Sequence, residues 1–236
     1  MTDEHGVAQV EGFEHAADVV GEVVDRVAGG ADGDAKVVNA RTGRVLAHYD
    51  FTSGTSFVND VLLRKGAVWF TDSQRAVLYK VTPRRGKAAG AKVRTVPLRG
   101  AWRQVPDVNN ANGISTTPDG RALLVVQSAT GYLFRVNPRN GNAVRVALGG
   151  TSLLNGDGLL RRGRLLYVAQ NRDNKVAVIK LGKRGKTGHL VRTLRSPDFD
   201  VPSTIASYGK RLYLPNARFT TPPTPTTSYW ITGIRR

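Results

Sequence analysis

Hydrophobic residues along this chain come in runs of strand length, and turn residues separate them. Between Asn112 and Leu148 the runs are NGIST, RALLVVQ, YLFRVN and AVRVAL. Pro118-Asp119-Gly120, Gly131 and Pro138-Arg139-Asn140-Gly141 break them apart. Gly, Asn, Asp and Pro are the residues that tight turns demand, so the stretch predicts an antiparallel four-stranded meander. Apolar residues at three- and four-residue steps, the mark of a helix, are absent from it.

The unit recurs. Each copy opens on a small polar pair: Asn59-Asp60, Asn112-Gly113, Asp157-Gly158, then Ser203-Thr204, at steps of 53, 45 and 46 residues. An aromatic or branched run follows each pair: GAVWFTDS from Gly66, RALLVVQS from Arg121, RLLYVAQN from Arg164, RLYLPNAR from Arg211. A third run comes next, in turn AVLYKV, YLFRV, KVAVIKL and SYWITGI. One meander cannot cover both of its own faces, and stacked neighbours can. The repeat therefore predicts an all-β chain, a β-propeller of four-stranded blades.

The N-terminus follows a different rule. Val10, Phe13, Ala16, Ala17, Val20, Val23, Val24 and Val27 fall at three- and four-residue steps, which predicts an amphipathic helix within residues 1–28. GGADGD then ends the pattern, so the expected regions are a helix with a Gly/Asp-rich linker (1–34) and the propeller (35–236). From Lys36, KVVNA and RVLAHYDF flank the turn Arg41-Thr42-Gly43 and read as the third and fourth strands of a blade lacking its first two. The count reaches about four and a half blades, where closed propellers have roughly four to eight complete ones. Either the ring is small and irregular, or an N-terminal portion is missing; the second reading is favoured.

A Pro-rich insertion, FTTPPTPTTS (219–228), joins the second and third strands of the last copy. In propeller topology that connection emerges beside the heads of the inner strands, over the channel mouth. It reads as a specificity-bearing cover or as a stiff surface loop.

Composition narrows the chemistry. With 236 residues, Gly 26, Pro 11 and no cysteine, the chain suits one turn-rich β domain and excludes disulfide and cysteine-metal chemistry. No run approaches the roughly 20 apolar residues of a membrane-spanning helix, and no signal-peptide layout opens the chain. The expectation is a soluble monomer without a membrane partner, cytoplasmic as written, or secreted if an upstream export segment is missing. The net charge of +17 raises nucleic acid as a partner. Yet the basic clusters Arg84-Arg85-Lys87, Arg161-Arg162-Arg164 and Lys183-Arg184-Lys186 fall in expected turns, scattered over several blades. No specific nucleic-acid partner is expected, only weak polyanion binding at low salt.

Three other motifs fail on inspection. Gly185-Lys186-Thr187 lacks the upstream glycine of a phosphate loop, Lys180 standing there instead. Ser53-Gly54-Thr55-Ser56 lacks the last glycine of a nucleophile elbow. His5, His15, His48 and His189 show no metal spacing.

The heads of the copies carry the candidate chemistry. In a propeller the innermost strands line a central channel, so Asn59, Asn112, Asp157 and Ser203 would converge near its axis. Their oxygens suit a hard cation such as calcium. The other reading is that Asn-Gly and Asp-Gly only make tight turns. On residues alone both stand.

FVND…GAVWFTDS, NGISTTPDGRALLVVQS and GDGLLRRGRLLYVAQN together resemble the senescence-marker-protein/gluconolactonase family, also called regucalcin-like. The resemblance covers roughly residues 36–236 and implies a six-bladed propeller, apparently truncated at its N-terminus. It also implies a divalent cation, usually Ca2+, in the channel, and hydrolysis of lactones. Residue by residue it implies substrate binding by Asn59 and Asp60, metal binding by Asn112 and Asp157, and a catalytic base at Asp157. Ser203 would line the channel. The family's first-blade glutamate has no counterpart, since Glu11 lies just before the expected helix, and Phe57 replaces the family's sugar-binding arginine. The expected function is thus a metal-dependent hydrolase of a small lactone or ester. The alternatives are a non-catalytic binding propeller and, less favoured, a basic nucleic-acid-associated protein.

Overall fold

A computed structural model describes residues 26–29, 33–39, 41–84 and 87–236. Among the described residues five sheets follow one another along the chain, antiparallel except for one parallel pairing in the third. Sheet 1 holds β1 (Arg26–Gly29), β2 (Asp34–Val38) and β3 (Val45–Asp50). Sheet 2 holds β4 (Val58–Arg64), β5 (Ala67–Asp72), β6 (Val77–Arg84) and β7 (Lys87–Pro97). The short β8 (Arg99–Gly100) crosses to the outer edge of sheet 3, which is β9 (Ala111–Thr116), β10 (Leu123–Gln127), β11 (Tyr132–Val136) and β12 (Asn142–Arg145). Sheet 4 is β13 (Gly156–Arg162), β14 (Leu165–Gln170), β15 (Lys175–Leu181) and β16 (Gly188–Leu194). Sheet 5 is β17 (Ala206–Tyr208), β18 (Arg211–Pro215) and β19 (Ile231–Arg235).

The first strands of successive sheets lie side by side: β1 by β4, β4 by β9, β9 by β13. The sheets are therefore blades standing around a shared inner edge, the propeller that the repeat predicted.

Period-two alternation explains the stacking. Leu123 and Val125 of β10 pack toward sheet 2, while Leu124 and Val126 pack toward sheet 4. On β14, Leu166 and Val168 face sheet 3, and Tyr167 and Ala169 face sheet 5. A central strand buried on both faces must be apolar at every position, which is why these segments read as continuous runs. Each apolar cluster thus lies between two blades.

The N-terminal region differs from expectation. Most of the helix expected within residues 1–28 lies outside the described residues, but Arg26–Gly29 is strand β1, paired antiparallel with β2 from Arg26↔Val38 to Gly29↔Ala35. Helical spacing of valines is a weak local signal, and strand pairing with the following KVV segment overrides it. Because β1 is the inner strand, KVVNA and RVLAHYDF supply the second and third strands of their blade, not the third and fourth. The sheet also begins upstream of the expected boundary at residue 35.

The basic clusters are corrected in two places. Arg84 ends β6 and Lys87 opens β7. Arg161 and Arg162 end β13 instead of lying in a turn. There Arg161 Nη2 donates to Thr116 Oγ1 of sheet 3 at 2.9 Å, as Arg64 Nη2 donates to Gly120 O at 2.6 Å. Burial lowers the pKa of both guanidinium groups. They are struts between blades, not solvated charge.

Candidate functional site

The polar pairs are not turns. Asn112-Gly113 lies inside β9 and Asp157-Gly158 inside β13, as Asn59-Asp60 lies inside β4. Each pair is a β-bulge. On β4 the pairing runs Val58↔Asp72 and then Val61↔Phe70, so Asn59 and Asp60 oppose Thr71 alone. On β9 it runs Ala111↔Gln127 and then Ile114↔Val125, and on β13 Gly156↔Gln170 and then Leu159↔Val168. A bulge interrupts the ladder and re-aims a side chain, here at the same depth in three consecutive blades.

Glycine at the second bulge position has a packing cause. A Cβ on Gly113 would lie 2.1 Å from the Asp157 carbonyl oxygen, and one on Gly158 2.6 Å from Thr204 Cα. The inner strands approach too closely for a side chain between them.

A second tier braces the first. Asn59 Nδ2 donates to Ser73 Oγ at 2.9 Å, and Asn112 Nδ2 to Ser128 Oγ at 3.0 Å. Ser73 donates onward to Ala111 O at 2.8 Å and Ser128 to Gly156 O at 2.5 Å, each in the next blade. In sheet 4, Asn171 Nδ2 donates to Asp157 Oδ2 at 2.7 Å. Because each serine proton goes to a carbonyl, each serine oxygen accepts from the asparagine NH2. That fixes the amide orientation, and Asn112 Oδ1 is left buried with no partner among the described residues.

Two carboxylates sit at this level, both nearly inaccessible. Asp157 is 9% exposed, and burial pushes its pKa up to about 7, the nearby Asp60 charge adding to the rise. The hydrogen bond from Asn171 and the nearby Asn112 amide work the other way. Asp60 is raised to about 6, again by burial, although Ile114 N–H and Val61 N–H oppose the shift. Those amides reach Asp60 Oδ2 and Oδ1 at 2.7 and 2.8 Å.

Asn59, Asp60, Asn112, Asp157 and Ser203 all line one cavity of about 1170 Å³. Five residues spread over 145 positions of sequence thus meet at one axis. Ser203 sits in the loop before β17 and not in a strand, and its carbonyl accepts from Gly158 N at 2.9 Å. Both ends of the Pro-rich insertion reach the same cavity, through Phe219 on one side and Tyr229 and Trp230 on the other. Asp60, Asp107 and Asp157 bring three carboxylates to the lining, against one guanidinium, Arg172. A protein of net charge +17 therefore carries an acidic axial cavity.

Sequence reasoning missed the bracing tier. Ser73, Ser128 and Asn171 end the runs GAVWFTDS, RALLVVQS and RLLYVAQN, so their register is visible in the sequence as a repeated small polar residue. Trp230 and Tyr229 lie just beyond the insertion, and nothing in the pattern separated them from core aromatics. Among the described residues no group of three or more His, Cys, Asp or Glu side chains gathers around a point. Any cation here would depend on amide and water oxygens besides Asp157. No helix among the described residues is long and apolar enough to cross a membrane.

The fold and its axial site define a β-propeller with an acidic central cavity. No protein-family profile and no curated protein matches the sequence. Among solved structures, glutaminyl cyclase from Myxococcus xanthus is similar at 13% identity and a TM-score of 0.56, covering 89% of this chain and 91% of that one. A protein from Lactobacillus plantarum is similar at 16% identity and a TM-score of 0.57, covering 80% of this chain and 58% of that one. BamB from Moraxella catarrhalis is similar at 13% identity and a TM-score of 0.51, covering 82% and 53%. At such identities the likeness is one of fold. The comparisons carry the propeller and do not reach the gluconolactonase family in particular.

Proposed function

We propose that this propeller hydrolyses small lactones or related esters in its axial cavity, with Asp157 as the base and a divalent cation, calcium by preference, as cofactor. One observation carries the reading. The unpartnered, buried Oδ1 of Asn112 adjoins a buried carboxylate, and a buried polar oxygen left unsatisfied costs stability unless something occupies it.

The donor set fits a hard cation. Asp157 keeps one carboxylate oxygen beyond Asn171, Asn112 offers its orphaned carbonyl, and Asn59 spends only its NH2 on Ser73. Oxygen donors of mixed charge, completed by water, are calcium's preference. When bound, such an ion would polarise the carbonyl group of the substrate.

The remaining steps belong to the chain itself. Asp157 accepts a proton from water as its oxygen adds to the carbonyl carbon. The same carboxyl returns that proton to the leaving oxygen as the ester C–O bond breaks. Asn171 holds the carboxylate in position throughout, and Asn59 and Asp60 form the substrate side of the floor. Without a bound ion the Asp157 pKa is about 7, and a cation on its free oxygen would lower it, favouring the ionised base.

The size of the cavity favours a second reading, a binding propeller without turnover. Its volume of about 1170 Å³ exceeds that of most small-ligand sites, roughly 300–1,000 Å³.

Hydrolysis of a lactone and ester panel, followed by pH-stat with added calcium and then with chelator, separates the two. The expected result is turnover that chelation abolishes and Asp157→Asn removes. Turnover that survives Asp157→Asn would sink the catalytic assignment. Ligand binding without any turnover would establish the binding module in its place.

A further inference from the structure

The insertion between β18 and β19 builds a wall for which the hydrolytic reading has no use. Phe219, Tyr229 and Trp230 line the cavity yet are 62%, 57% and 38% exposed. Val108 and Leu154 line the same cavity at 41% and 45%. Large apolar side chains left open to one cavity mark a site that an apolar ligand covers.

Trp230 and its loop are held in place. Trp230 Nε1 donates to Asp198 O at 2.9 Å, and the Arg218 guanidinium lies 5.0 Å from the centroid of its ring. Arg218 is itself fixed, by Asp200 Oδ2 at 2.8 Å and by Ser228 O at 2.9 Å. Thr224 and Thr227 close the tip of the loop on each other, and Pro222, Pro223 and Pro225 restrict its backbone. A preformed aromatic surface binds without paying for the ordering of side chains.

The polar floor is meanwhile partly spent within the protein. The NH2 groups of Asn59, Asn112, Asn155, Asn171 and Asn216 each already donate to an oxygen of the protein. Sugar hydroxyls laid along the apolar wall would find few partners on it. A carboxylate laid against the same apolar wall would lose hydration.

We infer that the cavity selects uncharged lactones or esters bearing an aryl or long alkyl group, stacked on Trp230 and Phe219, over polyhydroxylated or carboxylate-bearing ones. Turnover of such compounds rests on the proposed hydrolysis; the binding preference stands apart from it.

The test uses lactams, which bind as lactones do but resist hydrolysis. Calorimetric titration of the full chain with dihydroquinolinone and with glucono-δ-lactam should show the aryl compound binding at least about tenfold more tightly. Phe219→Ala and Trp230→Ala should each weaken the aryl lactam by about fivefold or more and leave the polyol lactam unchanged. If Trp230→Ala unfolds, Trp230→Phe and the exposed Phe219→Ala decide the matter. Equal affinity for the two lactams, or an aryl affinity indifferent to Phe219→Ala, overturns the inference. Loss of turnover with the aryl preference intact would sink only the catalytic reading, and turnover without the preference would sink only this one.

Discussion

Asp60 and Asp157 lie in the same cavity wall, on inner strands two blades apart, and burial raises the pKa of both. They occupy different halves of the bulge. Asp157 is a first bulge residue, like Asn59 and Asn112, and its side chain is held at one oxygen by Asn171. Asp60 is a second bulge residue, where the other blades carry glycine, and its two oxygens accept the backbone N–H groups of Val61 and of Ile114 in the next blade. One position thus separates a carboxylate with an oxygen to spare from one that joins two blades. Asp72, fully buried behind them, goes further: it accepts from Ser56, Tyr79 and three backbone N–H groups. Burial alone does not mark a reactive carboxylate. The count of internal donors does.

The largest effect should come from breaking the free side of the contrast. Asp157→Asn should cut lactone or ester turnover by about 10²–10⁴-fold, the usual contribution of a positioned base, while the protein still melts cooperatively. The same variant sharpens the contrast thermally. The folded-state pKa of Asp157 is raised from 3.8 to about 7, so the folded chain holds that proton more tightly than the unfolded one. Its contribution to stability is full below about pH 3.8 and is lost as pH rises through about 7. Melting temperatures between pH 4 and 8 should therefore fall for the wild type relative to Asp157→Asn. Parallel curves would refute the shift.

Asp60→Ala should do the opposite, costing stability before chemistry. It strands two buried N–H groups, at about 1–3 kcal/mol each, which urea denaturation would read as a lower midpoint at unchanged slope. Gly113→Ala tests the packing of the bulge itself, with an expected loss of about 1–3 kcal/mol as the Asp157 carbonyl is pushed away. A neutral outcome would mean that the inner strands are looser than described. The smallest change is expected from Asn171→Ala. Removing the donor to Asp157 should cost about 1 kcal/mol and move the rising limb of the pH–rate profile upward, since that bond lowers the Asp157 pKa. A profile that stays put would detach Asn171 from the carboxylate.

Much of the architecture was legible because period two, turn residues and a repeat of about 50 residues are local signals that agree with one another. Strand 1 was not, because pairing with β2 decided a segment whose spacing spelled helix. At the site, the heads of the copies could be found by register. Their meaning could not, since Asn-Gly is the same dipeptide in a turn and in a bulge. The distinction lies in the partner strand, where one residue faces two.

From the order of residues alone follow the repeated blades, the four-stranded meanders of sheets 2 to 4, and the positions 59, 112, 157 and 203 that recur at the head of each copy. Local propensity and alternation suffice for that. The tertiary structure alone decided that Asn112 Oδ1 would lie buried without a partner, that Asp60 would be spent on the backbone, and that an insertion after β18 would bring aromatic rings to the axis. Each depends on which atoms of distant blades meet around the axis. That is settled by packing, and no window of sequence contains it.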